Sequence, residues 1–366
     1  MNRILVTGGA GFIGSNFVHY WVRNHGADEL TVLDALTYAG NLQSIAKLIS
    51  IGSLEFVHGN ICDENLVSNI LETRKINTII HFAAESHVDR SILGPDAFIH
   101  TNIVGTYTLL NCARKIWLSN TEFLNNHRFH HVSTDEVYGS LSADDDPFTE
   151  STPYKPSSPY SASKAASDML VRSFQHTYGM NITISNCSNN YGAYHFPEKL
   201  IPLTIINILE GRKIPVYGNG MNIRDWLYVE DHCLGIDLIL GKGVSGETYN
   251  IGGNCEIMNI DVVKTVCDTV DEILHDTPQL LRKYPHTPVT NDTSSNSLIT
   301  YVKDRPGHDL RYAMNTDRIT TQLGFKTSES FHSGIYKTIH WYLSNDTWWK
   351  PIINQDYQKW LEEQYG

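Results

Sequence analysis

Two sets of reactive side chains lie close together between Ser133 and Lys164. The first, Ser133-Thr134-Asp135-Glu136-Val137-Tyr138-Gly139, follows directly on the apolar run Phe129 to Val132. The second, Tyr160-Ser161-Ala162-Ser163-Lys164, sets a phenol and an ammonium four residues apart on a stretch with a helical pattern, hence on one helical face. An ammonium beside a tyrosine stabilises the phenolate and brings its formation toward neutral pH. Asp135 and Glu136 supply a separate acid and base, because neighbouring carboxyl groups push their proton affinities apart. One site would then hold enough groups to oxidise an alcohol and to eliminate water. Each set has a bland alternative: paired acids after a strand often cap or face solvent, and a Tyr-x-x-x-Lys spacing arises by chance. Their joint placement carries the argument.

Such groups need a scaffold that holds them at strand ends. Strand candidates are Arg3 to Thr7, Leu30 to Leu33, Leu54 to Val57, Thr78 to Ala83, Phe129 to Ser133 and Asn181 to Asn186. Helical patterns lie between them, the longest at Asp96 to Trp117 and Tyr160 to Tyr178. This alternation predicts an α/β fold, a Rossmann-type doubly wound parallel sheet, with a smaller mixed α/β C-terminal substrate lobe. The expected division is a dinucleotide-binding domain over residues 1–190, also receiving 226–251, and a lobe over 191–366 that binds mainly substrate. Thr248 to Ile251 is the strand expected to return to the main sheet. Thr277 to Ser297, rich in Pro, Thr, Ser and Asn, reads as a surface loop. Trp341, Trp348, Trp349 and Trp360 crowd the C-terminal region and read as packing.

At the first strand, Ile4-Leu5-Val6-Thr7 runs into Gly8-Gly9-Ala10-Gly11-Phe12-Ile13-Gly14 and then a helical pattern from Ser15. A glycine loop there lets a pyrophosphate approach the backbone and sit at a helix N-terminus. Asp34 ends the next strand, where a carboxylate accepts from a ribose 2′-hydroxyl and repels a 2′-phosphate, so NAD is favoured over NADP. Asn60 after the third strand is placed to meet the adenine, and Phe82-Ala83-Ala84 after the fourth offers small side chains beside the pyrophosphate.

Composition sets outer limits. A chain of 366 residues with 41% hydrophobic content suits one large domain or two lobes around a cleft. The net charge of -12 argues against a nucleic-acid partner. No apolar run approaches the roughly 20 residues of a membrane span, and Met1-Asn2-Arg3 leads into the glycine loop too soon for a signal peptide, so the cytoplasm is expected. Six scattered cysteines without a Cys-x-x-Cys spacing read as buried thiols. His127, His130 and His131 lead into or lie on a strand and converge poorly on one ion, so no metal is expected.

The glycine loop, Thr134 and the Tyr160/Lys164 pair resemble the extended short-chain dehydrogenase/reductase superfamily. Within its nucleotide-sugar epimerase/dehydratase branch the resemblance narrows to the dTDP-glucose 4,6-dehydratase family. It is carried by Leu36 to Leu42, Ala83-Ala84-Glu85-Ser86-His87-Val88-Asp89-Arg90-Ser91, Ser133 to Gly139, Asn186 to Gly192, His195 to Pro202, Ile223 to His232 and Asp304-Arg305-Pro306-Gly307-His308. These blocks span nearly the whole chain.

The resemblance implies an NAD-dependent hydro-lyase that converts dTDP-glucose to its 4-keto-6-deoxy product, a step in deoxysugar (dTDP-rhamnose-type) and surface polysaccharide biosynthesis. It implies Thr134, Asp135, Glu136, Tyr160 and Lys164 as catalytic residues. Gly8, Gly11, Phe12, Ile13, Gly14, Asp34, Ala35, Leu36, Thr37, Asn60, Ile61, Phe82, Ala83, Ala84, Glu85, Ser86, Thr101 and Asn190 would hold the cofactor with Tyr160 and Lys164. Ser86, Thr134, Asn189, Lys199, Leu200, Pro215, Val216, Tyr217, Arg224, Asn259, Asp304, Arg305, Pro306, Gly307 and His308 would hold the nucleotide sugar, Arg224 and Arg305 as diphosphate clamps. A homodimer through the two long helices is implied as well. Asn60 departs from the family's usual Asp, Ala193 from its Pro, and the segment before Asp304 is longer. Thymine or uracil as the base stays open, and a 4-epimerase is the near alternative, though it has no use for Asp135 and Glu136.

Overall fold

The structure, a computed structural model, describes residues 2–353 and Tyr357. Its centre is a seven-stranded sheet in the order β10-β6-β5-β4-β1-β2-β3. The strands are β1 (Arg3–Thr7), β2 (Glu29–Asp34), β3 (Glu55–His58), β4 (Thr78–His81), β5 (Arg128–Thr134), β6 (Ile182–Cys187) and β10 (Thr248–Ile251). All pair in parallel. Ile4, Leu5 and Val6 have no exposed surface, as a strand covered by helices on both faces requires. All seven strands lie at the predicted places, within two residues at their ends, and Thr248–Ile251 does join the main sheet beside β6. The strand order reverses between β1 and β4, which opens a crevice at the carboxyl ends of the strands.

The helix Pro159–Tyr178 begins with unusual definition. Ser158 accepts from Ser161 N and the Ser161 hydroxyl accepts from Ser158 N, a reciprocal cap that leaves few of the first-turn donors idle. Pro159 occupies the first helical position, where its fixed φ fits, and Gly179 closes the helix at φ 69°. Loss of the Ser158 cap would cost about 1 kcal/mol. The start of this helix fixes the phase of Tyr160 and Lys164.

The other long helical stretch is not one uniform helix. Asp96–Phe98 is a short turn, Ile99–Gly105 is a π-helix, and Thr106–Trp117 is α-helical. Widened turns of this kind cluster at functional sites. Here the π segment carries Asn102, which accepts from Glu85 N at 2.9 Å and donates to Ser163 Oγ at 2.8 Å, tying the loop after β4 to the Tyr160 helix.

Beyond residue 188 the chain adds β7 (Asn189–Tyr191), β8 (Ile214–Tyr217), β9 (Ile223–Tyr228), β11 (Glu256–Met258) and β12 (Ile299–Val302). They form a β11-β9-β7 sheet and a β12-β8 pair. Thr277 to Ser297, expected as a loop, instead contains the helix Pro278–Lys283 and two 3-10 turns. Tyr284 and Val289 bury themselves in the lobe core, and Asp271 accepts from the Ser295 N–H at 2.9 Å, so polar composition hid a packed segment. Trp341, Trp348 and Trp349 pack as expected, with Trp349 fully buried, while Trp360 lies outside the described residues.

Candidate active site

A cavity of 360 Å³ runs along the crevice from the glycine loop to the start of the Tyr160 helix. Its first wall is Gly8, Gly11, Phe12, Ile13 and Gly14. Gly8 takes φ 72°, and a Cβ there would sit 2.6 Å from Ala83 N. A Cβ on Gly14 would fall 2.2 Å from Gly8 O. Only glycine permits this fold of the loop. The helix Phe12–Asn24 starts at Gly11 with no side-chain cap, which leaves its N-terminal dipole directed at the cavity.

Asp34 holds the loop as well as facing the cavity. Its two oxygens accept from Ala10 N at 2.9 Å and Leu36 N at 2.8 Å. Ala35, Thr37, Asn60, Ile61, Phe82, Ala83, Ala84, Glu85, Ser86, Thr101 and Asn190 line the same space. Leu36 does not: at φ 50° it turns its side chain onto the cluster of Val18 and Val32. Asn60 Oδ1 accepts from Cys62 N at 2.8 Å, and Ala193 O accepts from Asn16 Nδ2 at 2.8 Å. Asn190 Oδ1 lies 3.0 Å from His232 Nδ1. A strand-end crevice, a glycine cradle and a bare helix N-terminus fit a dinucleotide.

The reactive end follows from how β5 stops. Thr134 is the N-cap of the 3-10 turn Asp135–Tyr138, accepting from Glu136 N at 3.3 Å, and Gly139 ends the turn at φ 94°. That turn points Asp135 and Glu136 into the cavity with Thr134, Tyr160 and Lys164. Burial raises the Asp135 carboxyl well above the carboxylate range, and the charge of Glu136 adds to it. Burial also raises Glu136, but Arg305, Arg224 and Lys199 oppose the rise. Both carboxyls are raised, Asp135 well above the carboxylate range, the asymmetry that an acid beside a base requires.

The phenol departs from expectation. Burial, then the charge of Glu136, raises Tyr160 rather than lowering it, and only a hydrogen bond with Thr134 pulls the other way. Lys164 Nζ, one turn further along the helix, donates to Val132 O at 2.9 Å.

Lys199, Leu200 and Asn189 line the cavity on the lobe side. Pro215, Val216, Tyr217, Arg224, Asn259, Asp304, Arg305, Pro306, Gly307 and His308 lie outside its wall. Arg224, on β9, is only 4% exposed and places its guanidinium 4.2 Å from the Tyr312 ring centre. Arg305 donates to Asp89 Oδ1 at 3.3 Å and keeps Nε buried without a hydrogen-bond partner. A buried unpartnered guanidinium N–H beside a second arginine fits an anionic oxygen. Tyr217 and His308 meet edge to face at 6.1 Å, with His308 Nδ1 2.7 Å from Asp304 Oδ1. Pro306 and Gly307 form the turn between them and Arg305, with Gly307 at φ 64°. Val216 is 2% exposed and packs into the lobe core, so only its backbone can face a ligand. Asn259 begins the helix Asn259–Asp276, its N–H bound to Asn222 O.

Sequence reading missed other lining residues, among them Tyr38, Cys187, His195, Phe196 and Glu198. Arg90 donates twice to Glu198 Oε2 at 3.2 Å and lies 4.1 Å from the Tyr38 ring centre. His195 stacks on Phe12 at 4.1 Å, so the lobe closes over the first turn of the glycine-loop helix. All five belong to blocks already singled out, but nothing in their side-chain types separated them from packing residues.

Fold and site together define a nucleotide-binding enzyme of the short-chain dehydrogenase/reductase type, with the carboxyl groups of Asp135 and Glu136 lining the same cavity as Tyr160 and Lys164. A family model described as GDP-mannose 4,6 dehydratase matches residues 5–338, and the chain belongs to that family. A dTDP-glucose 4,6-dehydratase of Salmonella typhimurium is 51% identical, with 99% of each chain covered. One of Shigella flexneri is 52% identical over the same shares. Among solved structures, DesIV, a dTDP-glucose 4,6-dehydratase of Streptomyces venezuelae with NAD and TYD bound, superposes with a TM-score of 0.84 at 44% identity, covering 96% of this chain and 99% of its own.

Proposed function

We infer that the protein is an NAD-dependent hydro-lyase that removes water across carbons 5 and 6 of dTDP-glucose. The observation that carries this is the pairing of a buried Asp135, its carboxyl raised well above the carboxylate range, with a Glu136 faced by three cations, both lining the cavity with Tyr160. An epimerase, which only oxidises and reduces carbon 4, needs neither acid.

Gly8, Gly11, Phe12, Ile13, Gly14, Asp34 and Asn190 would hold the cofactor, which supplies hydride acceptance from carbon 4 and hydride return to carbon 6. Tyr160 takes the proton of the 4-hydroxyl, and Thr134 bonds the oxygen. The resulting ketone acidifies the carbon 5 proton, which Glu136 removes. Asp135 gives its proton to the departing 6-hydroxyl, so that water leaves neutral, and carbon 5 is reprotonated when the hydride returns to carbon 6. Lys164 keeps positive charge behind the phenol. Arg224 and Arg305 would clamp the diphosphate, and Lys199 the same side of the sugar. The base would rest against Tyr217, His308 and the turn Asp304–Gly307, with Asn259, Pro215 and Val216 behind it. Residues 1–190 with 226–251 would bind NAD, and the remainder the nucleotide sugar.

The test is a parallel assay of dTDP-glucose, UDP-glucose and GDP-mannose. Alkali-induced ultraviolet absorbance of a 4-keto-6-deoxy sugar from dTDP-glucose is expected. Formation of dTDP-galactose without that signal would overturn the dehydratase reading.

The assembly would be a cytoplasmic homodimer. No helix among the described residues is long and apolar enough to cross a membrane. Leu93, Ile99, Tyr107 and Met169 project from neighbouring helical stretches with 45–77% of their surface exposed, an apolar face that a second copy would cover. Light scattering should report twice the chain mass, and Tyr107→Glu should give monomer.

A further inference from the structure

Asp168 lies four residues after Lys164 on the helix Pro159–Tyr178, so both side chains leave one face. They reach consecutive residues of β5. Lys164 Nζ donates to Val132 O at 2.9 Å, and Asp168 Oδ2 accepts from Ser133 Oγ at 2.9 Å. The next residue along the strand is Thr134. The Asp168 side chain has no exposed surface. The same oxygen accepts from Tyr154 OH at 2.9 Å, and the other lies 3.1 Å from His131 Nε2.

A carboxylate and an ammonium this deep are each disfavoured alone, and each is tolerated because of the other. We propose that Asp168 is a positioning residue for the reaction, acting through Lys164: it is the counter-charge that keeps the buried ammonium protonated, and it anchors the strand end that carries Thr134, Asp135 and Glu136. The inference rests on the roles given above to Tyr160 and Lys164.

The surrounding groups leave that task to Asp168. His131 on β5 and His81 on β4 are held neutral by burial. Burial raises the Cys187 thiol on β6 to about 12 and lifts the phenols of Tyr154 and Tyr138 as well. Arg172, on the same helix, donates to Tyr154 OH at 3.2 Å and adds positive charge beyond it. Burial lowers Lys164, and Asp168 is the leading opposing influence. Burial lifts Asp168 to about 6, with Lys164 the leading influence against the rise, so the carboxylate is charged at neutrality.

Asn at 168 can still accept from Ser133 and Tyr154 but lacks the charge, so Asp168→Asn separates counter-charge from scaffolding. In the NAD-bound enzyme acting on dTDP-glucose, kcat near neutrality should fall about tenfold or more. The acid limb of its pH profile should move to higher pH, because a neutral Lys164 leaves the phenol harder to ionise. A limb that stays, or moves to lower pH, overturns the proposal. Should this variant fail to fold, Ser133→Ala and Tyr154→Phe each remove one donor from Asp168 and raise its proton affinity. Both should move the limb the same way by less, and unmoved limbs in both would overturn the proposal. Wild-type protein that leaves dTDP-glucose unconverted refutes the assigned function instead; wild-type turnover with an unmoved limb refutes only Asp168.

Discussion

The Thr134 hydroxyl donates to Asp135 Oδ1 at 3.2 Å, while Asp135 Oδ2 is buried with no hydrogen-bond partner. One oxygen is thus tethered and the other is left to carry a proton into the cavity. Burial, and then the charge of Glu136, raise that carboxyl well above the carboxylate range. Asp135→Asn should therefore retain oxidation at carbon 4 and lose elimination, with turnover down about 10²- to 10⁴-fold. Reduced nicotinamide should accumulate in a single turnover, visible by its absorbance.

Glu136 answers to the opposite demand. Glu136→Gln should abolish exchange of the carbon 5 proton with deuterated solvent, whereas Asp135→Asn should preserve it. Mass spectrometry of recovered sugar nucleotide distinguishes the two. Equal exchange in both variants would remove Glu136 from the role of base.

Arg305 opposes the rise of Glu136 more than any other cation does, and it keeps a free buried N–H. Arg305→Leu should raise KM for dTDP-glucose about 10- to 100-fold through the lost phosphate contact. It should also move the acid limb of kcat to higher pH, because Glu136 then holds its proton more tightly. Steady-state kinetics across pH separates these two effects.

The glycine cradle gives a binding prediction. In Gly14→Ala the new methyl would meet Gly8 O at 2.2 Å, so the loop must open. The variant should purify with less NAD than wild type, measured by release on heating, with the sheet's circular dichroism retained.

Buried histidines withdraw stability on the acid side. Burial lowers His232 to about 3 and His308 to about 4. A base depressed in the folded state stabilises the fold above its unfolded value of 6.5 and loses that contribution as pH falls through the folded value. Each such group withdraws ~1.4 kcal/mol per pH unit across that window. Thermal unfolding followed from neutrality to about pH 4 should show a falling midpoint, less steep in His308→Gln.

The nucleotide end was legible because it is local. A strand, a glycine loop and a helix are consecutive, and the carboxylate of Asp34 ends the adjacent strand, so Gly8 to Gly14 and Asp34 could be read in one pass. Asp135 and Glu136 were legible for the same reason: the turn after β5 is built by its own residues, from Thr134 to Gly139. The segment Thr277–Ser297 was misread, since its polar surface residues outnumber the few, such as Tyr284 and Val289, that anchor it.

What the sequence determined by itself was the periodic pattern: seven strands, the helix that phases Tyr160 with Lys164, and the acids placed after β5. Tertiary structure alone decided which distant charges face those acids. Arg224, Arg305 and Lys199 come from three separate segments, and their effect on Glu136 depends on distances no local pattern encodes. It also decided that Lys164 Nζ donates to Val132 O, the backbone two residues before Thr134. Spacing along a helix fixes the direction in which a side chain leaves, whereas the partner it meets is fixed by what the rest of the fold packs there.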